Sequence, residues 1–63
     1  MQYITGGTIR KLREQKHLTQ KQLAATLNVS DKTISKWERG ESIPDVLTLM
    51  QMANLFGITV NEL

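Results

Sequence analysis

The residues best suited to chemistry are concentrated in Ser30–Arg39, SDKTISKWER. Asp31 and Ser35, like Lys32 and Lys36, fall four apart, which on a helix stacks them along one side. Ile34 and Trp37, three apart, fall on the other side. A polar flank of this kind can meet the edges of base pairs in a major groove. Lys32 can donate to guanine O6 and N7, and Lys36, one turn on, to a base edge or a phosphate. Asp31 repels phosphate, so it either accepts from a cytosine amino group or serves the helix terminus. The hydroxyls of Thr33 and Ser35 suit base edges or solvent and phosphate equally well. Gln20, at the first turn of the preceding helix, can hydrogen-bond a phosphate. Trp37 could stack on a base, but its register with Ile34 turns it inward.

Other chemistries find little footing. The chain has 63 residues, one His, no Cys and no carboxylate pair at a cooperative spacing. A structural zinc site wants four N or S ligands, and none can be assembled, so no metal or cofactor is expected. Gly6-Gly7 lacks the Gly-Lys-Ser/Thr that completes a phosphate loop. His17 reads as a surface or capping residue. No run approaches membrane-spanning length, and no secretory signal opens the chain. The formal net charge is only +2, but its distribution is uneven. All eight basic residues lie between Arg10 and Arg39, with three acids among them, whereas Gly40 to Leu63 holds three acids and no base. Such a division suits a protein that turns one face to a polyanion; an unevenly charged solvated surface would look the same.

The elements that must position the flank are helices. Thr19, with Gln22 three residues on, makes a capping box. Leu23, Ala24 and Leu27 give the helix it opens an apolar face, and small Ala24 and Ala25 would let a neighbour approach. Asn28 tolerates a left-handed stop, Val29 points inward, Ser30 caps the next helix, and Gly40 closes it. Upstream, Ile9, Leu12 and Arg13 share a face of a helix running to His17, and Leu18 packs where it meets the next. Downstream, Pro44 suits the first turn of a helix and Asp45 its dipole. Val46, Leu49, Met50, Ala53 and Phe56 form that helix's expected core face, leaving Leu47 and Leu55 outside, and Gly57 stops it. The reading is all-α and single-domain: helices over 6–17, 19–27, 30–39, 45–56 and 60–63, the fifth short or truncated.

The stretch LTQKQLAATLNVSDKTISKWERG, with RKLRE before it and PDVLTLMQMANLFGITVNEL after, resembles the Cro/phage-repressor (Xre-like) helix-turn-helix family from about Thr5 onward. The resemblance implies a compact, five-helix, lambda-repressor-like domain that binds operator DNA, usually as a homodimer, and regulates transcription. It assigns base contacts to Asp31, Lys32 and Lys36, with Thr33 and Ser35 beside them. Gln20 matches a backbone-contacting position, with Ser30 next to the base-reading set. Arg13 and Glu38 match an inward ion pair, which supplies the partner that an Arg on an apolar face needs; Arg13 also comes near the backbone. Relatives often carry basic residues after the third helix, where this chain has Glu41, Ser42, Ile43 and Pro44. Backbone contact there is left to Arg39, Ser42 and main-chain amides.

The expectation is therefore a sequence-specific, double-stranded DNA-binding regulator, a repressor before an activator, cytoplasmic and of bacterial or phage origin, with no enzyme activity. Leu47, Leu55 and Ile58–Leu63 are the candidate dimer surface. A longer native regulator would hold effector or partner contacts in a C-terminal region. The alternative is a protein-interaction module, such as an antitoxin or a regulator's scaffold domain, working through the acidic, apolar back half.

Overall fold

The computed structural model describes residues 6–58. Four helices follow in order: α1 Gly6–Gln15, α2 Gln20–Leu27, α3 Asp31–Glu38 and α4 Val46–Phe56. No strand occurs among the described residues. The fold is all-α; the expected helix over 60–63 lies outside the described residues.

Three of the helices open on a side-chain cap. Thr19 Oγ1 accepts from Gln22 N at 3.0 Å, and Gln22 Oε1 accepts from Thr19 N at 2.8 Å, closing the capping box. Ser30 Oγ accepts from Thr33 N at 3.2 Å, and Asp45 Oδ1 from Thr48 N at 2.8 Å. Asp45 thus sits one position earlier than the sequence suggested, as cap and not in the first turn, and Pro44 lies buried before it. Gly6 starts α1 against the end of α3: a Cβ there would overlap the carbonyl oxygens of Trp37 and Glu38. This close backbone approach is open to glycine because it has no side chain.

All four helices end alike. His17, Asn28, Gly40 and Gly57 take left-handed φ angles of 58°, 59°, 75° and 70°. Each is followed by a residue whose N–H reaches back to the last turn: Leu18 to Arg13 O, Val29 to Ala24 O, Glu41 to Lys36 O and Ile58 to Ala53 O, at 2.9–3.1 Å. The left-handed residue itself donates one carbonyl further on, the Schellman arrangement. His17 is the surprise, since a β-carbon disfavours this conformation. It ends α1 at Gln15 and not at His17 as expected.

The core is one cluster drawn from every helix: Ile9, Leu23, Ala24, Leu27, Ile34, Trp37, Met52, Ala53 and Phe56, with half-buried side chains including Leu12, Leu18, Val29, Leu49 and Leu55 around it. Ile9, Leu23, Ile34 and Met52 are sealed from solvent, each contributing about 1.5–3 kcal/mol by removal of apolar surface from water. Ala25 is exposed, so only Ala24 serves the close packing of α2.

In α4 the core stripe is not the one expected. Val46 and Met50 are 70% and 50% exposed, while Met52 is 0% exposed. Leu49, Met52, Ala53 and Phe56 follow i, i+3, i+4, i+7, as good a helical stripe as the expected one. The helix VLTLMQMANLF is apolar over most of its circumference, so periodicity alone does not choose between the two. Leu55, expected outside, packs against the core.

Candidate nucleic-acid interface

The α2–α3 turn aims the polar flank of α3. Asn28 stops α2 in the left-handed conformation, Val29 docks on the core and Ser30 caps α3 at once. Ile34 and Trp37 then anchor α3, at 0% and 6% exposure. That register leaves Asp31, Lys32, Lys36 and Arg39 exposed and Thr33 and Ser35 half-buried. Lys32 and Lys36 stand about 6 Å apart along the axis, close to two base-pair steps. A helix with its side chains is about 10–12 Å across, which matches a major groove about 12 Å wide.

Behind this flank lies a polar knot. Arg13 Nε donates to Glu38 Oε2 at 2.7 Å, Arg13 Nη2 to Glu38 Oε1 at 3.2 Å, and Arg13 Nη1 to Leu18 O at 2.7 Å. The two side chains are 12% and 5% exposed. A buried charge survives only when paired and hydrogen-bonded. The hydrogen bond with Glu38 raises the Arg13 pKa above its ordinary value, against the burial that lowers it, with the charge of Glu38 adding to the rise. Gln20 Nε2 donates to Glu38 Oε1 at 3.1 Å. One carboxylate therefore ties α1, α2 and α3 together.

The site residues named from the sequence divide into three groups. Asp31, Lys32, Lys36 and Ser42 are exposed and Ser35 is half-buried, and among the described residues their side chains have no hydrogen-bond or ion-pair partner. Ser30 and Thr33 share a hydroxyl contact of 2.9 Å besides the cap, so part of their capacity serves the helix start; with Ser30 as cap, Asp31 is free of that duty. Arg13, assigned also to the backbone, is turned inward, with three of its N–H groups bonded to Glu38 and Leu18. Gln20 is half-buried and has one amide hydrogen committed to Glu38. Arg39 is paired with Glu41 at 2.7 Å. The sequence reading missed both the Gln20–Glu38 bond and the Arg39–Glu41 pair. For the second, an acid two residues past an exposed Arg, across a glycine turn, was a signal that could be seen.

A groove lined by Gly6, Ile9, Trp37, Gly40, Ser42, Ile43 and Pro44 is mixed in polarity and holds no titratable side chain among the described residues. Among the described residues no group of three His, Cys, Asp or Glu side chains could hold a metal ion. No helix of the described chain is long and apolar enough to cross a membrane.

A helix-turn-helix family model matches residues 9–63. The chain belongs to the helix-turn-helix family of Cro and phage-repressor type. Its HTH-type relatives include the transcriptional activator BcrR of Enterococcus faecalis, 44% identical over 55 residues, which are 87% of this chain and 27% of that protein. An HTH-type transcriptional regulator of Sinorhizobium fredii, y4dJ, is 35% identical over 63 residues, all of this chain and 82% of that one. The helix-turn-helix domain also superposes on the P22 c2 repressor, solved in complex with a synthetic operator, with a TM-score of 0.84 and 27% identity over 95% of this chain and 91% of that one. The chain thus spans about a quarter of one curated relative and most of another.

Proposed function

We propose that this helix-turn-helix domain binds double-stranded operator DNA sequence-specifically, as a homodimer, and regulates transcription by occupying it. Helix α3 enters the major groove, and α2 braces it across the sugar–phosphate backbone. The observation that carries the reading is the unpartnered polar flank of α3, fixed from behind by buried Ile34 and Trp37. Lys32 and Lys36 read base edges with Asp31, and Thr33 and Ser35 assist. The second amide hydrogen of Gln20, with Ser30 and Ser42, meets phosphates, and Arg39 faces the same backbone from its pair with Glu41.

Two copies around a two-fold axis would read half-sites about 34 Å apart, one turn of the duplex. The surface for pairing is Ile43, Val46, Leu47 and Met50. These are the exposed large apolar side chains of the described residues, 81%, 70%, 65% and 50% exposed, and all lie in one segment. Leu55 and Ile58 are replaced in this role because they pack on the core, and the rest of the expected surface, 59–63, lies outside the described residues. Repression follows from occupancy alone, whereas activation needs a further contact. The setting is the bacterial cytoplasm, and no reaction is assigned to the domain.

Selection of bound duplexes from a random pool tests the proposal. A palindromic consensus with two similar half-sites is the expected result. Recovery of sequences no different from the starting pool, with binding only at low salt, would reduce the domain to a sequence-blind polycation. Tight binding of a protein partner without any enriched duplex would favour the interaction-module reading instead.

A further inference from the structure

Lys32, Lys36 and Arg39 recur at i, i+4 and i+7 along α3 and its C-cap, all three exposed. The first two cations are unpartnered among the described residues, but the third is not. Arg39 Nε lies 2.7 Å from Glu41 Oε2, with the two side chains 57% and 53% exposed. Backbone geometry puts Glu41 there. Gly40 turns left-handed at φ 75°, and Glu41 N reaches back to Lys36 O at 2.9 Å. At the other three helix ends the corresponding residue is Leu18, Val29 or Ile58, half-buried and packed against the core. After α3 the same position carries an exposed carboxylate, whose contact is with the end of the cationic stripe.

We infer that Glu41 limits the DNA affinity of the domain by occupying the guanidinium of Arg39, so that Arg39 does not neutralise a phosphate. The inference rests on the DNA-binding reading above and sharpens it. A solvent-exposed pair of this kind adds little to folding, so structure gives no strong reason for the acid. Its effect on a polyanion is larger. Each phosphate neutralised releases counterions and steepens the fall of log affinity against log salt by about 0.9. The tether is two residues long, so the carboxylate is always at hand to compete with a phosphate oxygen. Between Gly40 and Ile58 the described chain has no other cation that could replace Arg39 on the backbone beyond α3.

The test is a salt titration of four proteins on one short random-sequence duplex: the unaltered chain, Glu41→Gln, Arg39→Gln and the double variant. Both substitutions fall on exposed positions, and circular dichroism checks that each protein folds. Glu41→Gln is expected to tighten binding and to steepen the slope by about 0.9, so the gain shrinks about 3.5-fold from 50 to 200 mM salt. In the Arg39→Gln background the same change is expected to leave the slope where it was. An unchanged slope on Glu41→Gln, or an equal change with and without Arg39, overturns the inference while leaving DNA binding intact. If the unaltered chain shows no salt-dependent retention of duplex, the DNA-binding reading is overturned as well.

Discussion

Gln20 Nε2 lies 3.1 Å from Glu38 Oε1, so the first turn of α2 and the last turn of α3 meet on one carboxylate. The same carboxylate carries Arg13 of α1. The side chain that holds the fold together is thus also the one that sets the direction of a proposed phosphate contact. Structure and site share a part, and changes at Glu38 should be visible in both.

Glu38→Ala leaves Arg13 charged, enclosed and without its acceptor. Breaking a buried pair from one side costs about 3–5 kcal/mol, and the slight exposure of Arg13 argues for the lower end. A domain of this size has a total stability of only about 3–9 kcal/mol at roughly 0.05–0.15 kcal/mol per residue. The variant should therefore lose about a third or more of its stability, read as a much lower urea midpoint. A midpoint equal to that of the unaltered chain would mean that Arg13 finds water or another acceptor.

Lys32→Ala and Gln20→Ala should fail in different ways. Loss of a base contact costs roughly 1–3 kcal/mol and relaxes preference at one position. Loss of a phosphate contact weakens all duplexes alike. Binding of the selected consensus, of single-base changes in it and of random duplex separates the two. If Lys32→Ala weakens random duplex as much as consensus, Lys32 touches phosphate; if Gln20→Ala alters the preference, its bond to Glu38 orients α3 itself.

How much of this was visible in the residues depended on how many of them agreed locally. The α2–α3 unit was legible because caps, left-handed stop and apolar register are each specific: Thr19 with Gln22, Asn28, Ser30, then Ile34 with Trp37. Helix α4 was legible as a helix but not in its orientation, because Val46, Leu47, Leu49, Met50 and Met52 offer several apolar faces and packing chooses Met52. The close approach of Gly6 to the end of α3 is a contact between distant parts of the chain, which no local pattern encodes. The same holds for the Gln20–Glu38 bond, whereas the Arg13–Glu38 pair was reached through family resemblance.

His17 stops α1 at φ 58° without being glycine. A residue with a β-carbon in this conformation costs about 1–2 kcal/mol relative to right-handed helix. His17→Gly removes that strain, and its side chain is exposed, so little packing is lost. Set against the extra freedom of glycine in the unfolded chain, a net gain of up to about 1 kcal/mol is expected, seen as a higher thermal midpoint. A lower midpoint would show that the imidazole makes a contribution beyond filling the turn.

Leu47 and Met52 are both large, apolar and on α4, yet one is 65% and the other 0% exposed. Leu47→Asp should leave the urea midpoint nearly unchanged and weaken self-association, measured by sedimentation and by loss of cooperative binding to a two-half-site duplex. Met52→Ala should do the reverse, costing about 2–5 kcal/mol of stability through the cavity it leaves. Dimers that survive Leu47→Asp would move the pairing surface away from α4.

Asp45 gives the helix cap a pH signature. Hydrogen bonds from Thr48, the hydroxyl first and the backbone N–H second, lower its pKa below the ordinary aspartate value. Because the folded-state pKa is the lower one, the contribution of the carboxylate is complete above the unfolded-state pKa. It fades as pH falls through the folded-state value. Asp45→Asn keeps a capping oxygen but loses the charge that favours a helix N-terminus. The unaltered chain should therefore be the more stable at neutral pH, and the difference in thermal midpoint should shrink once the pH drops below about 4, the range in which a free aspartate protonates. A difference that stays constant from neutral to strongly acidic pH would show that α4 is capped by geometry alone, with no part played by the charge on Asp45.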